Sequence, residues 1–180
     1  MTHGNSDRVF QTGREASFGV QAVAENGMPG ELAGEWNDLG LANTVALPAE
    51  GPGPIFGGDS RTFEFSSDDS RFSLVTMLIC TNDGFGGVDT RRLPNRVGQT
   101  TNHTIRAYDA GTEINTQMDA DLVPVPFCGD PEIGDGATNP ALAEDGVVRP
   151  HRGIRRNVGD IPQMYDFSRI VGRVTVERIS

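Results

Sequence analysis

Ten consecutive residues, RFSLVTMLIC from Arg71 to Cys80, limit most sharply what this chain can become. Apolar side chains fall on odd and even positions alike, so a strand built from them buries both faces and must lie centrally in a sheet. The run halts at TNDGFGG, where Asp83 opens a glycine-rich stretch expected to form a loop as far as Gly87, with Phe85 folding back over the rim. Just upstream RTFEFSS alternates, Phe63 and Phe65 on one face against Thr62, Glu64 and Ser66 on the other. That is the pattern of a half-buried strand, and Ser67-Asp68-Asp69-Ser70 supplies a hairpin turn after it. Asp68 and Asp69 therefore read as solvated turn residues, with metal ligation as the rival reading.

Other extended segments follow the same logic. Asn102 to Tyr108 predicts a strand, Val88-Asp89 and Leu93-Pro94 bracket a short edge segment, and IVGRVTVE closes the chain with clean alternation. Asn102-His103-Thr104 matches an N-glycosylation acceptor, a pattern that inside a strand reads as a chance match. Helix is confined to residues 15–36. There Phe18, Val20, Val23 and Ala24 have loose helical spacing, Gly27 is a stop, and Met28-Pro29 opens a second short helix bearing Leu32 and Trp36. Trp36 reads as a lid on the core. Residues 48–59 and 115–162 are rich in Pro, Gly and Asp and predict loops, the second long enough to be functional or mobile. The sum is one mainly β domain with one or two short helices near its N-terminus.

Chemistry gathers at two strand ends. AYDAGTE, from Ala107 to Glu113, sets Asp109 and Glu113 about a tight Ala110-Gly111-Thr112 turn, while Asp83 ends the central apolar run. Three carboxylates on one rim are hard oxygen donors, and calcium takes roughly six to eight of these at about 2.3–2.6 Å in irregular geometry. Without a counter-charge they repel one another or hold protons, so a cation or nearby arginines must offset them. Asp beside Gly also makes ordinary turns, and each acid taken alone fits either reading.

Charge and missing motifs remove several classes. All 15 basic residues are arginine, and the net charge is −10. Nucleic acid demands a basic footprint that such a surface lacks, and anionic lipid is disfavoured without a bridging cation. The same composition fits a salt-adapted organism or a high-GC genome. No apolar run is long enough to span a membrane, and the first residues show no signal-peptide pattern. There is no G-x-S-x-G elbow, P-loop or H-E-x-x-H pair. Cys128 with His151 matches no thiol-imidazole context, so the chain reads as non-enzymatic, with metal-assisted hydrolysis as the catalytic alternative. His151 beside arginines reads as a hydrogen-bonding prop rather than a zinc ligand. Cys80 and Cys128 permit one disulfide or two free thiols.

FSLVTMLICTNDGFGGVDTRRLP, AYDAGTEINT and HRGIRRNVGDIPQMYDFSRIVGRVTV, in this order and spacing, resemble the bacterial and archaeal branch of the spondin domain family, the domain of F-spondin and mindin. The resemblance runs from about residue 2 to residue 179. It implies a single domain over residues 1–180: an antiparallel β-sandwich akin to calcium-dependent membrane-binding domains, with calcium held in loops at one end. Asp83, Asp109 and Glu113 match the family's metal motif and are the implied ligands; Glu113 stands where animal members carry Asp, one methylene longer. The family also implies an exported, extracellular or periplasmic calcium-binding module of adhesion or matrix type, expected to be a monomer, with an extracellular protein or glycan as partner. Calcium-bridged carbohydrate or lipid-headgroup binding is the alternative. Family domains open with an extended strand before the segment matching THGNSDRVFQTGREAS, so a first strand and a signal peptide are expected upstream of Met1. Prokaryotic relatives carry a cysteine pair within the long loop; here only Cys128 matches, with Met118 and Asp119 near the other place, and Arg155 stands where the family tends to carry histidine.

Overall fold

The computed structural model describes residues 1–4, 7–44, 54–123, 128 and 138–180. Its elements in chain order are β1 (Thr2–His3), α1 (Phe18–Asn26), α2 (Pro29–Asp38), β2 (Ala42–Thr44), β3 (Arg71–Met77), β4 (Gly84–Arg92), β5 (Thr100–Asp109), β6 (Arg149–Pro150) and β7 (Ile170–Glu177). All strands join one antiparallel sheet in the order β2-β1-β3-β4-β5, with the far edge of β5 shared between β6 and β7. The apolar run is central as expected, but it stops at Met77 because Leu78 to Thr81 turn back: the Thr81 amide and hydroxyl both donate to Leu78 O.

The sheet is curled. β4 shares a ladder with β5 only where Gly84 to Gly87 face Asp109 to Arg106; beyond that β4 stays with β3 while β5 goes with β7. Strands that change partner halfway let one sheet fold into two layers, as in a sandwich. Phe72 of β3 thus meets His103 of β5 at 5.2 Å between ring centroids, although β4 separates their strands in the ladder. A Cβ on Gly86 would lie 3.0–3.2 Å from Thr76, Ile105 and Val171, side chains of β3, β5 and β7. The glycines after Asp83 therefore build a pinched strand rather than the predicted loop. Phe85 is a core residue instead of a lid, fully buried with Phe10 edge-on at 5.0 Å and Tyr108 stacked at 5.4 Å. Val88 and Asp89 belong to this inner strand rather than to a short edge segment.

The helices fall where expected. Ser17 Oγ accepts from Val20 N to start α1, Gly27 ends it at φ 63°, and Pro29 opens α2. Both pack onto the Phe10–Phe85 side of the sheet through Val20, Val23, Leu32 and Trp36, and they approach so closely that a Cβ on Gly19 would sit 2.5 Å from Leu32 Cα. Phe18, predicted on the buried face, lies in the first turn and is 67% exposed.

The RTFEFSS strand does not form. Residues 59–69 adopt no regular element, and Phe63 and Phe65 stay 42% and 39% exposed. The edge of β3 that a hairpin partner would use is taken by the N-terminus: Thr2 and His3 pair with Phe72 and Arg71, and Met1 exchanges both backbone bonds with Ser73. His3, fully buried, fastens this edge strand through Nε2 to Ser73 Oγ at 2.8 Å. Without that strand Ser67 to Ser70 form no hairpin turn either; locally Asp69 N donates to Ser67 Oγ. At the other side Asn102 Oδ1 accepts from Thr175 Oγ1 across β5 and β7, so the glycosylation-like triplet is part of a strand pair.

Of the loop expected at 48–59, only 54–59 lies within the described residues, and 124–127 and 129–137 of the long loop lie outside them. The described parts of the long loop hold two single turns, Asp119–Asp121 and Pro140–Leu142, and β6, with a third turn, Gln163–Tyr165, just beyond it. Cys80 and Cys128 are joined, with Cα atoms 5.3 Å apart, and Leu122 and Ile161 pack around them. Closing a loop across a separation of 48 residues is worth roughly 4 kcal/mol by chain entropy.

Two measurements check this architecture. Gly87→Ala would drive a methyl to 2.6 Å from the Phe10 ring, and overpacking of this kind should cost about 1–3 kcal/mol in chemical denaturation. Reducing the Cys80–Cys128 bond should lower stability by about 2–4 kcal/mol in the same assay; an unchanged midpoint would contradict the role given to it.

Candidate metal centre

The four-residue ladder between β4 and β5 puts Asp83 and Asp109 at one rim, since Gly84 pairs with Asp109 and Ala110 N donates to Asp83 O. Gly111 then reverses the chain at φ 73°, pressed against Val147 so that a Cβ there would lie 2.5 Å from Val147 N. This turn aims two backbone N–H groups at one carboxylate: Asp83 Oδ2 accepts from Thr112 N at 2.8 Å and from Glu113 N at 3.1 Å. Glu113 Oε1 in turn accepts from Asn139 N at 2.7 Å. All three predicted acids are thus brought to the same rim, and all are buried, at 0%, 4% and 3% exposure for Asp83, Asp109 and Glu113.

Their surroundings differ sharply. Asp109 is well supplied: Oδ1 accepts from Gly111 N and lies 3.2 Å from Arg149 Nε, while Oδ2 accepts from Asn115 Nδ2. A carboxylate has about four acceptor positions, so room remains on Asp109 for one more partner. Among the described residues no ion pair involves Asp83, and its Oδ1 is buried without a hydrogen-bond partner. Burial, followed by the charges of Asp109 and Glu25, pushes its carboxyl up to about 7 against the pull of its two backbone donors. Burial, with Glu25, Asp83 and Asp121 behind it, raises Glu113 to about 7 as well, despite the Asn139 donor. Arg149 divides itself between a forked pair with Glu144, 3.0 Å on each arm, and the Asp109 contact.

As placed, no three His, Cys, Asp or Glu side chains among the described residues enclose an ion. The acids share a rim without forming a cage. A hard cation would suit Asp83, whose Oδ1 has no hydrogen-bond partner among the described residues and whose carboxyl is raised by the negative charges of Asp109 and Glu25.

Sequence reasoning overlooked Glu25, which is 4% exposed at the end of α1 and acts electrostatically on both Asp83 and Glu113. Its one sequence signal is a carboxylate directly after the apolar Ala22-Val23-Ala24 run. His151 is a prop as read: buried, with Nδ1 accepting from Gly153 N, and held below the usual histidine range by burial first. Arg155 reaches Asn115 O through Nη2 and does not replace a ligand. A cavity of about 10 Å³ between Cys80, Asn82, Asn115, Gln117 and His151 has room for no more than about one water.

Among curated proteins nothing matches this chain. A family model does: that of the spondin N-terminal domain, Spondin_N, matches residues 1–121, which carry α1, β3, β4, β5 and all three rim acids. The match ends before Cys128, Arg149 and His151. Covering about two thirds of the 180 residues, it makes this chain a member of the spondin N-terminal domain family.

Proposed function

We propose that this domain is a non-catalytic calcium-binding module of adhesion or extracellular-matrix type, working outside the cytoplasm. One ion, held by Asp83, Asp109 and Glu113, clamps the 110–113 turn onto the start of β4. The observation that carries this reading is the Asp83 carboxylate, fully buried, with Oδ1 lacking a hydrogen-bond partner among the described residues and the charges of Asp109 and Glu25 acting against its own. Calcium supplies the missing positive charge to Asp83 and Glu113 at once and accepts the irregular donor set of a loop rim. The disulfide supports an oxidising compartment. Among the described residues no helix is long and apolar enough to cross a membrane. Burial of the acids favours a clamping ion over one that bridges to a sugar or headgroup, and it disfavours hydrolysis for the same reason: a ligand oxygen has little access. The partner, an extracellular protein or glycan meeting the loops at this rim, rests on family membership alone.

Thermal melting tests the clamp. Calcium at about a hundred times its dissociation constant stabilises by about 2.7 kcal/mol, or about 5–10 °C for a chain of this size. Chelator should remove the gain. Asp83→Asn should abolish it while melting no lower than wild type in chelator, because a buried charge is gone. Full retention of the calcium response in Asp83→Asn or Asp109→Asn would refute the ligand assignment.

The response should also depend on pH. In the fold Asp83 and Glu113 stand at about 7, against ordinary values of 3.8 and 4.5. Folded values above unfolded ones mean that the native state binds more protons between about pH 4 and pH 7, so calcium-free stability contributed by these groups declines as pH rises through that window. Calcium competes with those protons, and its stabilising increment should grow from about pH 5 to pH 8. Melting series in chelator and in calcium, each compared with Asp83→Asn, read this difference directly; an increment that shrinks with rising pH would be the opposite result.

A further inference from the structure

We propose that the arginine-bearing segment 152–156 is a docking platform for an acidic polysaccharide, its guanidinium groups receiving the sulfate or carboxylate oxygens of successive sugars. This goes beyond the calcium reading and does not depend on it, because the segment holds none of the rim acids.

Charge sets the segment apart. The chain as a whole carries −10, yet residues 146–159 contain Arg149, Arg152, Arg155 and Arg156 and no acid. Arg149 is engaged with Glu144 and Asp109. Arg152, Arg155 and Arg156 are exposed and enter no ion pair among the described residues; Arg155 reaches only the neutral Asn115 O, through Nη2. The acids that follow are turned to backbone donors: Asp160 Oδ1 accepts from Asp119 N, and Asp166 Oδ1 accepts from the amides of Ile154 and Ser168. Three arginines within five residues are thus left facing solvent on a chain rich in carboxylates.

The backbone beneath them is held in one shape. Gln117 Oε1 accepts from Arg155 N at 2.7 Å, and its Nε2 donates to Arg155 O at 3.0 Å and to Val158 O at 2.6 Å. Gln117 O accepts from the amides of Asp160 and Ile161. Gln117 itself sits at φ 60°, a left-handed conformation that costs a residue bearing a Cβ. Gly159 lies against Gln117 O and Gly153, at φ 81°, against Asp166, each too close for a side chain. Ile154 and Ile161 anchor the segment in the apolar cluster around Cys80 and Cys128. A loop that only met solvent would need no such fixing, whereas one that binds through long side chains loses less freedom on binding if its backbone is already still.

The residue type selects the ligand. Arginine's planar fork matches the paired oxygens of carboxylate and sulfate. A nucleic acid brings a long run of phosphates that the surrounding acidic surface repels. A protein partner wants an apolar centre to its interface, and between residues 152 and 160 the one exposed large apolar side chain is Val158, at 36%. A thin, charged sugar chain needs no apolar centre and can engage a single loop. Asn115, which accepts from Arg155 and donates to Asp109 Oδ2, places this loop beside the rim.

Calorimetric titration of the intact chain with a heparin-derived oligosaccharide of uniform length, in chelator and at physiological ionic strength, tests the platform independently of calcium. The wild type should bind, and the Arg152→Ser/Arg156→Ser double variant should bind tenfold or more weakly. Arg96→Ser/Arg173→Ser, which removes two exposed arginines elsewhere, should bind as the wild type does. No binding by the wild type, or an equal loss in both double variants, overturns the proposal. Poly-glutamate bound as tightly as the oligosaccharide would also overturn it, in favour of an acidic protein.

Discussion

A carboxylate buried where two strand ends meet, with two backbone N–H groups on one oxygen and nothing on the other, is the constraint from which this rim is built. The Asp83 Oδ2 bonds to Thr112 and Glu113 amides hold the 110–113 turn in place. Hydrogen bonds to a charged group are worth about 1.5–3 kcal/mol each, but only while the group is charged. Burial and neighbouring acids work against that charge. The turn's anchor and its electrostatic liability are thus the same side chain, and a cation resolves the conflict by stabilising the form that anchors best.

The sheet delivers this arrangement through missing side chains. Gly84 follows Asp83 so tightly that a Cβ would meet Thr81 Oγ1 at 2.3 Å, Gly86 is pinched between side chains of three strands, and Gly87 receives the Phe10 ring. Glycine in a strand weakens it and marks close approach of other parts of the chain. Here it lets β4 pass through the narrowest part of a curled sheet, which aligns Gly84 with Asp109 and so brings the two acids level. The stretch that read as a loop because of its glycines is a strand because of its neighbours, and those neighbours are distant in sequence.

Much of the remainder was legible. The two short helices, their Gly27 stop and Pro29 start, the central run from Arg71 and the alternating final strand all follow from local pattern, and the structure has them in those places. The rim acids were legible too, because strand ends followed by tight turns are visible in one dimension. Phe63 and Phe65 misled because alternation reports an amphipathic strand only if an edge is free to pair, and β1 already occupies the edge of β3. Glu25 was illegible for a related reason. It looks like an ordinary surface residue near a helix end, and only the packing of α1 over β3 and β4, together with Thr138 brought across from the long loop, buries it beside Glu113.

The distribution of arginine completes the argument. A chain with net charge −10 and no lysine has few cations to commit, and at this rim it commits Arg149 to the one acid whose other needs are already met. The fork to Glu144 fixes the guanidinium plane, leaving Nε for Asp109. Arginine's rigid planar donor set suits such a double contact and resists reorientation. Held this way, Arg149 orients Asp109 without neutralising Asp83 or Glu113, whose carboxyls remain raised to about 7. A domain that needed only to be stable could have replaced those buried acids with apolar or amide side chains at little cost; on the calcium reading proposed above, their positive charge would come from solution.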